Sequence, residues 1–548
     1  MSAANVTASS LFDKQRYIAK AGFNRWLVPP CALAIHLCIG MAYGFSVFWL
    51  PLHKALGISK AIDCPKDMEF LATVFTTTCD WKISMLGWMY TLFFVFLGTA
   101  SAIWGGWLER VGPRKAGFAA AFCWCGGLVI SAIGVIAHQI WLLWVGSGII
   151  GGLGLGLGYI SPVSTLIKWF PDRRGMATGM AIMGFGGGAM IGAPLADWLM
   201  KLYETSTSVG VWQTFLTLGA IYFIYMIAGS LGYRLPAPGW KPKGWEPKAG
   251  KALITTRNVD LNVATFTPQF WFVWGVLTLN VTAGIGILGM ASPLLQEVFG
   301  GRLIGVNEPF ERLTQAQHAA IATLAAGFTG LISLFNIAGR FCWASFSDYI
   351  GRKPTYMVFL LLGIALYSSI PWTAATGNLA LFVGFICIII SMYGGGFATV
   401  PAYLADLFGT RMVGAIHGRL LTAWSAAGIF GPVIVNYIRE YQLSHGVPHA
   451  QVYTITMYIL AGILVIGLIC NILVRPVADK YFMTPQQEAE LDAAGTRAGV
   501  ATAPAGPGAD GAPSPAWMVT AAWLGVGIPI AIGVWVTLRE AAKLFGLT

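Results

Sequence analysis

The residue most able to do chemistry in this sequence is an arginine where arginine is costly. Arg340 stands in the run Asn336-Ile337-Ala338-Gly339-Arg340, inside the apolar stretch 319–346. No Asp or Glu falls near the middle of any apolar stretch; Asp197, Glu297, Asp348 and Asp406 lie toward ends. Arg340, two helical turns inward from Asp348, therefore has no internal carboxylate, and a buried charge costs at least about 2.5 kcal/mol. A guanidinium offers a planar fork of donors that matches a carboxylate bidentately, so a small organic anion would offset that cost. The alternatives are snorkelling to the nearer face or bonding to freed carbonyls of a kinked helix. Asn336, one turn earlier on the same face, can orient either guanidinium or ligand.

Other chemistry-bearing residues are weaker candidates. Arg419 lies about two turns into the stretch 413–437 and on a different face from Trp424, which suits a gate or a headgroup contact. His417 beside it, and His36 in the first apolar stretch, can titrate near neutrality or serve as packing. Cys64 and Cys79 share one polar loop and can pair if their compartment is oxidising. The other cysteines, Cys123 and Cys125 included, mostly sit in apolar stretches as small packing residues rather than metal ligands. Gly151-Gly152-Leu153-Gly154-Leu155-Gly156-Leu157-Gly158 superficially resembles a dinucleotide loop, but it has no preceding strand and reads as close helix packing. No nucleophile with its base, metal cluster or phosphate loop emerges, so neither an enzyme nor a cofactor is expected.

The elements that must position these residues are membrane helices. Of 548 residues 56% are hydrophobic and 10% charged, against roughly a quarter charged in soluble domains. Apolar stretches long enough to cross about 30 Å of hydrocarbon recur at 27–50, 83–108, 116–137, 140–169, 175–200 and 211–233. After a connector they recur at 268–295, 319–346, 356–372, 379–407, 413–437 and 453–474. The expected organisation is an N-terminal segment 1–26, a six-helix half 27–233, a connector 234–267, a second half 268–474, a linker 475–515 rich in Ala, Gly and Pro, and a further membrane helix with its tail over 516–548. Lys14, Arg16, Lys20 and Arg25 precede the first stretch, and the connector holds Lys241, Lys243, Lys248, Lys251 and Arg257. Such bias marks the cytoplasmic side, so the N-terminus is expected there, with no cleaved signal peptide. The formal charge of +11 is spread through short loops, which argues against nucleic acid as a partner.

One loop occurs twice. Gly105-Gly106-Trp107-Leu108-Glu109-Arg110-Val111-Gly112-Pro113-Arg114-Lys115 follows the second stretch, and Ala344-Ser345-Phe346-Ser347-Asp348-Tyr349-Ile350-Gly351-Arg352-Lys353 follows the eighth. Each sets an acid at a helix end, a glycine for the reversal and a basic pair for headgroups or helix ends. This duplicated loop is the signature of the major facilitator superfamily, which the sequence resembles over 27–474. Lys168-Trp169-Phe170-Pro171-Asp172-Arg173-Arg174-Gly175-Met176-Ala177-Thr178-Gly179, Gly40-Met41-Ala42-Tyr43-Gly44-Phe45-Ser46-Val47-Phe48 and Asn336 to Arg340 resemble, more narrowly, the oxalate/formate antiporter family, near the monocarboxylate transporters.

The resemblance implies an all-α membrane protein of the major facilitator fold: two six-helix bundles around a midplane site, here with one extra C-terminal helix. It implies alternating-access transport of a small carboxylate through the plasma (inner) membrane, as an oxalate/formate-type antiporter or a monocarboxylate exchanger, or else as a proton-coupled monocarboxylate symporter. A membrane sensor that kept the fold without transport is a further alternative. Family position places Tyr43, Tyr159, Tyr393 and Trp424 beside Arg340 and Asn336, with Glu109, Arg110, Gly112, Arg114, Asp348, Gly351, Arg352 and Arg419 as gating residues. A lysine expected at or near Trp424 in an oxalate carrier is absent, and a single fixed charge suits a monocarboxylate better than a dicarboxylate. The expected partners are the small organic anion and the bilayer; the number of subunits is left open.

Overall fold

A computed structural model of the chain describes residues 11, 12, 14–58, 61–65, 68–81, 83–237, 239–245, 253–497 and 513–542. Lys248 and Lys251, residues 498–512 of the linker and residues 1–10 lie outside them. Among the described residues the fold is helical, with strand-like pairing confined to isolated bridges such as Ile18 with Leu235. Helices are forced on the apolar runs, because in hydrocarbon each backbone N–H and C=O must find its partner within the segment.

In the first half α1 (Val28–Ile39) tightens into Gly40–Phe48 and ends in Trp49–His53. It is followed by α2 (Ile83–Val111), α3 (Pro113–Ile136), α4 (Gly152–Trp169, entered through the wider turns of Trp144–Gly151), α5 (Arg174–Tyr203) and α6 (Val211–Gly232). A short helix, Leu261–Thr265, precedes α7 (Pro268–Phe299), α8 (Gln315–Ile350), α9 (Arg352–Ala375) and α10 (Leu379–Phe408). Then come α11, running Val413–Leu420 and Thr422–Ser444 on either side of Leu421, α12 (Thr454–Leu473) and α13 (Ala516–Ala542). Among the described residues twelve helices are long and apolar enough to span a membrane, the last being Ala516–Arg539. The 36-residue α8 completes the second six; Gln315, Gln317, Asn336, Arg340 and Asp348 dilute its apolar character.

Packing repeats between the halves: α1 lies on α5 as α7 lies on α11, α3 on α6 as α9 on α12, and α2 on α4 as α8 on α10. The halves meet along two helix pairs, α5 with α8 and α2 with α11. Close approach explains the glycine run of α4, since a Cβ on Gly156 would stand 2.5 Å from the Leu97 carbonyl oxygen and one on Gly154 2.5 Å from the Trp124 nitrogen. Gly112 and Gly351 hold φ of +87° and +94°, so both copies of the repeated loop turn through a conformation that side chains disfavour. α13 lies outside both bundles yet touches α1 and α5 of one half and α8 of the other. Cys64 and Cys79 form a disulfide in the polar loop between α1 and α2.

Candidate functional site

Arg340 sits ten residues before the end of α8, about 15 Å along the helix from the face that carries the repeated loops, or half the hydrocarbon thickness. It is fully buried. Its Nε donates to Asn336 Oδ1 at 3.0 Å, and its Nη1 donates to the Ile182 carbonyl of α5 at 3.2 Å. Its Nη2 is buried and has no partner among the described residues. The i, i+4 spacing of Asn336 and Arg340 thus orients the guanidinium, and α5 of the opposite half takes up one donor. No carboxylate pairs with it in any described contact.

Aromatic rings enclose this charge. The Arg340 Cζ lies 5.9 Å from the Tyr43 ring centre, 5.8 Å from that of Phe185 and 5.6 Å from that of Phe397. These distances lie within cation–π range. Trp424 packs on Phe397 at 4.3 Å and on Tyr159 at 5.4 Å, and Tyr43 packs edge-on against Phe185 at 4.9 Å. The hydroxyls of Tyr43 and Tyr393 lie 3.4 Å apart, linking α1 to α10. The Tyr159 hydroxyl and the Trp424 Nε1 are both buried without partners among the described residues. The Arg340 Nη2, the Tyr159 hydroxyl and the Trp424 indole N–H thus bring three buried donors to one cluster. Tyr43, Tyr159, Tyr393, Trp424, Asn336 and Arg340 therefore gather in one cluster. Phe185 and Phe397 join it unanticipated; Phe397, one turn after Tyr393 on α10, was findable by helical spacing.

Toward the face of the repeated loops the halves are bolted together by helix capping. The Asp348 carboxylate accepts from the backbone N–H of Gly175 at 2.8 Å and of Met176 at 2.9 Å, at the start of α5. The Glu109 carboxylate accepts from the Gly414 N–H at the start of α11 at 3.1 Å, from Ser164 at 2.8 Å and from Lys168 at 2.6 Å. Each acid sits at the positive end of a helix dipole in the opposite half. Arg352 holds Asp348 at 2.6 Å and approaches Asp406 at 3.3 Å, while Arg174 crosses from α5 to the same Asp406 at 2.9 Å. In this conformation the bundles are closed on that face.

The basic residues of the two loops part ways. Arg114 donates to the carbonyls of Leu11, Leu231 and Tyr233. Lys353, two residues after Gly351 as Arg114 is two after Gly112, donates to the carbonyls of Ile472 and Val474. Each ties its loop to the end of its own half's sixth helix, so the counterpart of Arg114 is Lys353 and not Arg352. Arg114 is 4% exposed, a second buried arginine, beside Arg340, with no carboxylate contact among the described residues. Arg110 is exposed. Arg419 turns from the aromatic cluster toward the short helix Leu261–Thr265, donating to Leu261 O, Thr265 Oγ1 and Asn262 Oδ1. His36 lies between the carbonyls of Ala181 and Tyr159, stacked on the Tyr159 ring, and buried His417 has no partner at either nitrogen among the described residues.

Comparison with known proteins bears on this arrangement. Residues 33–432 match the family described as Major Facilitator Superfamily. The chain is 26% identical over 411 residues to the oxalate:formate antiporter of Oxalobacter formigenes, covering 74% of this chain and 83% of that one. It is 25% identical over 350 residues to monocarboxylate transporter 4 of Rattus norvegicus, 62% and 67% of the two chains. The solved fucose:proton symporter of Escherichia coli has the same fold, with a TM-score of 0.54 at 13% identity, over 83% of this chain and 100% of that one. With its doubled packing, its repeated loops and a family match spanning most of its length, the chain belongs to the Major Facilitator Superfamily.

Proposed function

We propose that the protein is a secondary transporter of small carboxylate anions, exchanging them by alternating access through the aromatic cluster, as an oxalate/formate-type or monocarboxylate exchanger. The carrying observation is Arg340, fully buried, with Nη2 unpartnered and no carboxylate among its described contacts. Its single positive charge suits a monocarboxylate, because a dicarboxylate would keep one uncompensated charge in low dielectric. The Tyr159 hydroxyl and the Trp424 indole N–H can complete the anion's hydrogen bonds, while the rings exclude water. The relative named for oxalate and formate and the relative named for monocarboxylates agree with that class.

In this reading the halves are 27–233 and 268–474. Glu109, Asp348, Arg352 and Arg114, with the turns at Gly112 and Gly351, form the gate on the cytoplasmic side of a plasma (inner) membrane. The Lys/Arg bias supports that orientation, and the disulfide loop then lies on the oxidising side. The test is counterflow in proteoliposomes loaded with formate, oxalate, lactate or acetate. Exchange of a monocarboxylate above oxalate is expected; exchange of none of the four removes the reading. His36 and His417, both against Tyr159, favour a second reading, proton-coupled symport. Uptake without internal substrate that collapses with an uncoupler would select it.

A further inference from the structure

A second cationic site lies far from the aromatic cluster. On the face of the repeated loops a cavity of about 740 Å³ opens between the N-terminal arm, the end of α6 and the start of α13. Lys20, Arg114 and Arg234 line it together with Arg16, and among its described lining residues there is no Asp or Glu. The neighbouring cavity on this face differs, because there Arg25 is answered bidentately by Asp172.

The site is built rather than incidental. Arg114 is held by the Leu11, Leu231 and Tyr233 carbonyls, and its buried Nε has no partner among the described residues. Arg234 spends Nη1 on the Leu231 and Tyr233 carbonyls. Burial pushes its guanidinium down from the ordinary arginine range. Ser514 fixes the third wall: its N–H donates to Gly22 O and its Oγ accepts from the Asn24 N–H. The rest of the lining is apolar, and Leu11 (46% exposed), Leu231 (38%) and Met518 (44%) lie open to the surroundings. A cationic floor with an apolar rim at a membrane face fits an amphiphile whose headgroup is an anion.

We propose that this cavity binds the phosphate headgroup of an anionic phospholipid, its acyl chains running out past Leu231 and Met518. The lipid then mortars α13 and the N-terminal arm to the first bundle. Basic groups at a membrane surface each favour anionic lipid modestly, and Lys20, Arg114 and Arg234 converging on one cavity make a specific site.

The experiment is native mass spectrometry of the full-length protein exchanged into mixed micelles with phosphatidylglycerol or phosphatidylcholine. Wild type is expected to keep one phosphatidylglycerol per chain. The Lys20→Gln/Arg234→Gln variant is expected to bind it about 30-fold more weakly, which is about 2 kcal/mol at tenfold per 1.4 kcal/mol. Lys480→Gln, an exposed charge removed elsewhere, should match wild type. Equal loss in Lys480→Gln, or unchanged binding in the double variant, would overturn the site. Displacement of the lipid by glycerol phosphate or inorganic phosphate at millimolar concentration would overturn the lipid and leave a soluble phosphate site. If the double variant does not fold, wild type decides: a preference for phosphatidylglycerol over phosphatidylcholine below about threefold refutes the proposal.

Discussion

Replacing Arg340 by methionine separates a ligand anchor from a structural tie. In the empty protein the guanidinium costs at least about 2.5 kcal/mol to bury. It regains roughly 1.5 kcal/mol from each of its two hydrogen bonds, to Asn336 and to the Ile182 carbonyl. These terms nearly cancel, so Arg340→Met should leave ligand-free stability within about 1 kcal/mol of wild type. A bound carboxylate adds at least one charge-assisted bond at the vacant Nη2, worth about 1.5–3 kcal/mol, and the variant should bind it about 10 to 150-fold more weakly. With the anion at a hundred times the wild-type Kd, wild type gains about 2.7 kcal/mol of stability, and a variant weakened a hundredfold gains only about 0.4 kcal/mol. Thermal unfolding in detergent with and without formate or lactate reads both numbers, and counterflow reads the lost exchange. The reasoning fails if the ligand-free variant loses more than about 3 kcal/mol, since Arg340 would then be holding α8 to α5. It fails equally if the anion stabilises the variant as it does wild type.

The capping latch predicts a shift of conformation. Asp348→Asn removes the charge that accepts from Gly175 and Met176 of the opposite half, worth about 1–2 kcal/mol of contact between the halves. Spin-label distances across the repeated-loop face should show the open population rising about 5 to 30-fold, and no change would discard the latch. Glu109→Gln should do the same through α11. Gly394→Val places a Cβ 2.3 Å from the Asn336 carbonyl and 3.1 Å from Arg340 Cγ; overpacking of about 1–3 kcal/mol should displace the guanidinium and abolish counterflow while the protein still purifies as a monodisperse species.

The features legible in the sequence were those written in local spacing. Asn336 and Arg340 are four apart, so their contact follows from helix geometry, and the duplicated loop announced two equivalent halves. The partners of Glu109 and Asp348 were invisible because they are backbone N–H groups of Gly414, Gly175 and Met176, which carry no side-chain signature and lie in the opposite half. Asp406 was visible as an acid near a helix end, but its ion pair with Arg174 spans 232 residues. Lys353 was overshadowed by its neighbour, although counting from the glycine of each loop would have matched it to Arg114. Arg419 reads as a gate or headgroup contact from its depth in the stretch and its face, neither of which shows the short helix of the connector that it bonds. Asp260, whose side chain caps the N–H of Asn262, was the signal that a helix begins there for Arg419 to hold. Aromatic identity said little in a chain with 22 Trp, 18 Tyr and 32 Phe, and only packing separated Phe185 and Phe397 from the rest.

The outer helix α13 has a mechanical consequence. Near its start the Trp523 indole N–H donates to the Trp26 carbonyl and Val526 packs on Leu33 and Ala34 of the first half, whereas further along Gly533 meets Met190 of α5 and Gly330 of α8 meets Thr537. Its 27 residues span about 40 Å, with Pro529 between the two sets of contacts as the point where the helix can bend. If the two halves rock about the centre as is usual in this fold, a straight α13 cannot stay seated on both. Any such movement must be taken up either by sliding of one set of contacts or by bending at Pro529, so α13 links the outer flanks of the two halves by a route separate from the central charge.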